Sequence, residues 1–297
     1  ALTAARTAPP KRRELPVPPL PEADCTAEAP RLTISVTRLE QLSPALLELG
    51  CPARVYIPLE EVSRLESLPG EGPEWCAVLP RVWRDRDEPA LRTLLEWARA
   101  LGFTGVLIGN LGHLPLVRGL DFHLYGDYGL NVFNSRSLAY LKDKELESAC
   151  VSFELRFAQI RDLKKVLRAE AIVYGRLPLM ITENCLVQNE TGCRLDRQGP
   201  CVPEDGPCRC GQPNVLVDRT GAAFPLLPAY GHRTEIQNSK PLYLADRPEH
   251  RRLGLAYARL RFTTETAEEC VSVVQNYLDA APAAGDFTRG LYERGVE

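Results

Sequence analysis

The chain reads as an α/β protein built on a closed, TIM-like (β/α) barrel, with a Cys-rich, metal-binding insertion near the C-terminal end of that barrel. Three observations lead to this reading. From Arg31 onward, short apolar runs alternate with amphipathic segments, the pattern of strands and helices wound around a parallel sheet. No Gly-rich phosphate loop follows the first apolar run, which disfavours an open doubly wound sheet. Five of the ten cysteines fall between Cys185 and Cys210, in a stretch too rich in Gly, Pro and Asn to bury a core of its own.

Residues 1–30 carry many prolines and no apolar periodicity, which predicts a Pro-rich linker. The basic cluster Lys11 to Arg13 is too short for a nucleic-acid patch and is expected to be solvated. Residues 31–184 form the first part of the barrel. Leu32 to Val36 is strand-like, and Thr37 caps a helix carrying Leu39, Leu42, Leu46 and Leu49 that Gly50 stops. Arg54 to Leu59 is the next strand, followed by a short helical turn. Trp75 to Pro80 is the third, and Asp87 with Pro89 starts a helix that lines up Leu91, Leu94, Leu95, Ala98 and Leu101 before Gly102 ends it. The strand Val106 to Ile108 follows, then a short helix in LGHLPLVRG.

Beyond it, apolar residues lead to Asn131 and Asn134, and Ser135 caps a helix with Leu138 and Leu141. Cys150 to Leu155 is expected as a strand, Ile160 to Leu167 as a helix and Ala171 to Tyr174 as a strand. Residues 185–240 are the Cys-rich insertion, which contains strand-like Val215 to Val217. Residues 241–282 supply the closing elements: a strand at Pro241 to Ala245, a helical turn at Pro248 to Leu253, a strand at Ala256 to Phe262 and a helix from Glu268 to Ala280. The helix carries Cys270, Val273, Val274 and Leu278 on one face. Residues 283–297 are a tail.

With 44% hydrophobic residues the chain can bury a sizeable core. Its net charge of -3 and pI near 6.0 give no global basic field of the kind that drives non-specific nucleic-acid binding. No apolar run is long enough to cross a bilayer and the N-terminus lacks a signal-peptide pattern, so a cytoplasmic location is expected and no membrane partner. The chain begins at Ala1 and has one methionine, Met180, which predicts that the full protein begins earlier, its N-terminal portion being the first partner, with a mature, processed N-terminus as the competing reading.

In a barrel, functional side chains sit where strands end and loops begin. Glu60, Arg81, Asn110, Asp127, Asn131, Asn134, Glu154, Arg176 and Glu183 occupy such positions. Asn131, Asn134, Glu154 and Arg176 are the catalytic candidates. The two Asn side chains at one strand end can position a substrate oxygen or satisfy loop backbone. Glu154, between Phe153 and Leu155, is either an inward-facing carboxylate or one paired with an arginine.

His113, His123, His232 and His250 show no metal spacing among themselves, and no HExxH, Walker or nucleophile-elbow sequence occurs. In a reducing compartment, clustered cysteines are metal ligands more often than disulfides. Cys185, Cys193, Cys201, Cys208 and Cys210 are therefore the candidate ligands, with His232 in reach of the same site, and zinc is the expected metal. An iron-sulfur cluster is the alternative, although two-residue spacings are absent.

The runs GDYGLNVFNS (Gly126 to Ser135), SFEL (Ser152 to Leu155), YGRLPLMITENC (Tyr174 to Cys185), LVDRTGAAFP (Leu216 to Pro225) and RTEIQNSKPL (Arg233 to Leu242) resemble the peptidase U32 family, in particular the C-terminal barrel of its long bacterial members. The resemblance spans about residues 30 to 280. It implies collagenase-like peptidase activity, or support of base hydroxylation in ribosomal or transfer RNA, with an iron-sulfur cluster on four cysteines. It also leaves a non-catalytic binding barrel with a structural metal as a third expectation, with RNA or a small molecule as the substrate partner. Of the family's cluster positions Cys185 is matched. Pro178 follows where a first cysteine is expected after Tyr174-Gly175, and Tyr243 follows Ser239-Lys240-Pro241-Leu242 where a last one is expected.

Overall fold

A computed structural model describes residues 15–17, 19–22, 24–191 and 212–295. Seven parallel strands come first: β1 (Arg31–Ser35), β2 (Arg54–Pro58), β3 (Glu74–Val78), β4 (Gly105–Ile108), β5 (His123–Gly126), β6 (Ser148–Cys150) and β7 (Arg168–Gly175). They pair in chain order. The chain then leaves the barrel. Strands β8 (Pro178–Thr182), β9 (Asn214–Val217), β10 (Ala223–Ala229) and β11 (Arg233–Gln237) form an antiparallel sheet in the order β8-β11-β10-β9. Next, β12 (Leu242–Tyr243) runs antiparallel along β7. Finally β13 (Tyr257–Arg261) inserts in parallel between β7 and β1 and closes the eight-stranded barrel.

Helices pack outside the barrel where the apolar spacing places them. In α1 (Pro44–Gly50), the Ser43 hydroxyl accepts from the Leu46 N–H at 3.2 Å, and Pro44 supplies a preset φ. A turn of α-helix, α2 (Leu59–Val62), follows β2. In α3 (Glu88–Leu101), Leu91, Leu95 and Ala98 are buried at helical spacing, and Gly102 at φ 101° ends the helix. Burying each leucine side chain contributes about 1.5–3 kcal/mol. Short α4 (His113–Val117), α5 (Ser135–Asp143), α6 (Phe157–Asp162) and α7 (Leu186–Thr191) follow. The last, α8 (Ala267–Leu278), starts with a capping box in which Thr266 and Glu269 each accept the other's backbone N–H.

Several elements differ from their sequence expectation. The segment after Thr37 is a 3-10 turn (Leu39–Gln41) followed by α1, because Pro44 lacks the N–H that a continuous helix would need. Asn134, not Ser135, caps α5. The strand expected at Cys150 to Leu155 is three residues, Ser148–Cys150, and the chain turns at Phe153 and Glu154. The helix expected over Ile160 to Leu167 ends at Asp162, where Lys165 folds back and donates to the carbonyls of Ile160 (2.7 Å), Arg161 and Leu163.

The barrel interior is unusual in carrying charge along its length. Near the N-terminal end, Arg54 bonds Glu74 at 2.9 Å, Ser148 and Tyr257, with its guanidinium over the Tyr125 and Tyr257 rings. At mid-depth Arg259, 1% exposed, bridges Asp127 and Glu170, while Thr33 and Tyr56 donate to Glu170. A buried charge is tolerable only when paired in this way. Gly175, at φ 119°, makes this closure possible: a Cβ there would run into the Arg261 carbonyl oxygen.

Candidate active site at the C-terminal mouth

The strand ends of β5 and β13, the loop after β3 and strand β11 converge on the mouth of the barrel. Asp127 follows β5 directly, Arg81 follows β3 and Arg261 ends β13. Glu235 reaches in from the middle of β11. One Glu235 oxygen accepts from Arg81 at 2.8 Å and faces the Tyr128 hydroxyl at 3.5 Å; the other accepts from Arg261 at 3.0 Å and from the Gln237 amide at 2.8 Å. Burial pushes the Glu235 carboxyl up, but Arg261 and Arg81 outweigh it and hold the group below the usual carboxylate range. Burial pushes the Tyr128 phenol up, so it stays protonated and donates. The two guanidinia also lie over the Tyr128 ring.

Three further residues in this region are shifted chiefly by burial. Glu60, half-buried at the start of α2, has its carboxyl pushed up to about 7 by desolvation, helped by Glu61. Its neighbour Tyr230 is raised by burial and by the charges of Asp87 and Glu60. His113 is fully buried with Nε2 at 3.1 Å from the Pro80 carbonyl, and desolvation lowers it to about 4.

A polar cleft of about 380 Å³ opens between the loop after β3 and the β10–β11 hairpin. Arg84, Arg86, Arg233, Glu183, Cys185 and His232 face it. Glu183 bridges Arg84 and Arg233, each at 3.0 Å, and both arginines hold its carboxyl low.

The four catalytic candidates do not meet in one place. Asn131 sits in a left-handed conformation (φ 49°) after a 3-10 turn and is exposed. Asn134 is also exposed, and its side-chain oxygen accepts from the Arg136 and Ser137 N–H groups at 3.0 Å. Glu154 is half-buried in the turn after β6. Arg176 is half-buried beyond β7, where its guanidinium donates to the Asn238 carbonyl at 3.0 Å and to that of Ser239, while its own carbonyl accepts from Arg261 at 2.6 Å. Arg176 thus borders the mouth and ties down the loop after β11.

The mouth residues Arg261, Glu235 and Gln237, and Arg259 below them, are not among the candidates. Their signal is the period of two: Tyr257, Arg259 and Arg261 alternate with Ala258 and Leu260, and Arg233, Glu235 and Gln237 alternate with Thr234 and Ile236. Polar residues on one face of a central barrel strand have to pair inside it.

Of the candidate metal ligands, Cys185 is described and is a half-buried free thiol facing the same cleft as His232. Cys193, Cys201, Cys208 and Cys210 lie outside the described residues. Among the described residues, no three His, Cys, Asp or Glu side chains converge. A thiol and an imidazole in one cleft are the two donor types that zinc takes most readily. The thiols inside the barrel, Cys76 and Cys150, are pushed up by burial and face no second cysteine in an ion-binding group.

Residues 68–213 match the sequence model described as Peptidase family U32. A solved structure described as the U32 peptidase Mk0906 aligns with 9% sequence identity and a TM-score of 0.44, covering 87% of this chain and 100% of its own. No curated protein matches the chain.

Proposed function

We propose, from the match of residues 68–213 to the model of peptidase family U32, that this chain belongs to that family and is the barrel region of a protein that supports hydroxylation of RNA bases. The observation that carries the reading is the mouth constellation. Arg81 and Arg261, with Asp127 and Glu235, stand at the end of the barrel where this fold does its chemistry, and Arg259 supports Asp127 from mid-depth. Guanidinia and a protonated phenol held in place around Glu235 form a preorganised polar wall that can orient the carbonyl oxygens of a nucleobase. Glu60, with its carboxyl near 7, is the group at this end suited to take or give a proton at neutral pH.

In this reading Cys185, with Cys193, Cys201, Cys208 and Cys210, holds zinc, or alternatively an iron-sulfur cluster. The N-terminal portion of the same protein and RNA or a small molecule are its partners, and the compartment is the cytoplasm. Among the described residues no helix is long and apolar enough to cross a membrane. Liquid-chromatography mass spectrometry of ribosomal and transfer RNA from a strain lacking the gene tests the proposal. Loss of a hydroxylated base, restored by the wild-type gene, is expected; an unchanged set of hydroxylated bases rejects it.

One observation favours a second reading, a collagenase-like peptidase: Cys185 and His232 face one cleft, and thiol and imidazole together are the parts of a nucleophile and its base. Gelatin cleavage by the purified protein that disappears in Cys185→Ser would support it over the first. Catalytically silent protein, with a metal that only stabilises the fold, would support a binding barrel.

A further inference from the structure

The cleft beside the mouth has a use that the barrel interior does not. We infer that Arg84, Arg86 and Arg233, with His232, Asn184 and Gln188, form a phosphate-binding site, and that Glu183 fills it in the absence of ligand. The interior charges cancel: Arg54, Arg81, Arg259 and Arg261 stand against Glu74, Asp127, Glu170 and Glu235. In the cleft they do not, because three arginines face it against the single carboxylate of Glu183. Arg86 has in addition one long ion-pair contact, with Asp87 at 3.8 Å.

The three arginines divide the work. Arg233 is the fixed one: its side chain is 5% exposed and donates to the Tyr230 carbonyl at 3.0 Å, the Val82 carbonyl at 3.4 Å and Glu183. Gly231 makes room for it, since a Cβ at that position would stand 2.7 Å from its Nη1. A guanidinium held in this way loses little freedom when it binds an anion. Arg84 and Arg86 are the exposed ones, at 53% and 72%.

Glu183 shows where the anion goes. Its carboxylate, 60% exposed, bridges exposed Arg84 and buried Arg233, so solvent reaches the Glu183 side of both pairs and the carboxylate can give way to another anion. A phosphate has more acceptor oxygens and more charge than a carboxylate, and so can engage both arginines and Arg86 together. Asn184 adds an amide that can donate to it.

Two sources have this chemistry, the backbone of an RNA strand and a small phosphorylated molecule. The inference rests on the proposed RNA chemistry only for choosing the first. Binding of the full chain to a short single-stranded RNA, measured by fluorescence anisotropy over a salt series, is compared with binding of inorganic phosphate by calorimetry. The comparison covers the wild type, Arg84→Ala/Arg86→Ala and Glu183→Gln, each checked by circular dichroism and melting.

For RNA, the double variant is expected to bind about tenfold more weakly, with the salt slope reduced by about 2, whereas Glu183→Gln binds more tightly. Phosphate binding that depends on Arg84 and Arg86, without RNA binding, would assign the site to a small phosphate. Folded variants that bind both probes as the wild type does, or a wild type that binds neither, would overturn the site. Intact RNA hydroxylation in the gene deletion, with the cleft still binding phosphate, would remove only the RNA reading.

Discussion

Single side chains carry the sharpest pH signatures. Glu60 has a folded pKa of about 7, above its unfolded value, so its favourable contribution is complete below about pH 4.5 and is lost as pH rises through 7. Glu60→Gln is therefore expected to match the wild type in denaturant midpoint at pH 4.5 and to exceed it at pH 8. The gain is about 1–2 kcal/mol once solvent screening of a half-buried group is allowed for. His113 has the opposite sign. Its folded value of about 4 lies below the unfolded one, so stability is complete above about pH 6.5 and is lost as pH falls through 4. His113→Gln should flatten that decline, by about 3 kcal/mol between pH 7 and 4, in chemical denaturation at successive pH values. A decline equally steep in both proteins would mean that His113 does not take up its proton there.

At the scale of elements, the helices that were easiest to read have both a buried stripe and chemical end signals. In α3, Pro89, the Leu91/Leu95/Ala98 stripe and Gly102 all agree, and the helix runs where they place it. The segments that misled lack such agreement. Ser148–Cys150 is a short strand whose apolar successors Phe153 and Leu155 belong to a turn, and periodicity alone cannot tell the two apart. Asn134 shows the same ambiguity at a candidate site, since one residue type serves both caps and substrates. Its side chain bonds two N–H groups of α5, so Asn134→Ala should lower stability by about 1 kcal/mol, and Asn134→Asp or Asn134→Ser should restore it. Loss of RNA modification in Asn134→Asp at normal stability would instead assign the residue to substrate.

For the whole molecule, the closed barrel was legible because its seven in-order parallel strands follow the βα rhythm of the chain. The arrangement of the mouth was not, because Glu235 arrives from an antiparallel sheet inserted between β7 and β13, far from Arg81 in sequence. Long-range pairing of this kind leaves only alternating polarity as its trace. The interior charges bind the molecule together. Arg259→Ala strands Asp127 and Glu170 in the core and is expected to cost about 3–5 kcal/mol, read as a fall in denaturant midpoint. The same change combined with Glu170→Gln should be milder than the two single effects summed.

Arg81 permits the most direct test of the mouth itself, since removing it leaves Glu235 paired with Arg261 and the fold intact. The measurement is the fraction of the hydroxylated base in RNA from cells whose only copy carries Arg81→Ala, with protein level checked by immunoblot. Under the proposed function, a fall of roughly tenfold or more at normal protein level is predicted for a guanidinium that orients the base. Wild-type modification at normal protein level would contradict the assignment of the chemistry to the C-terminal mouth.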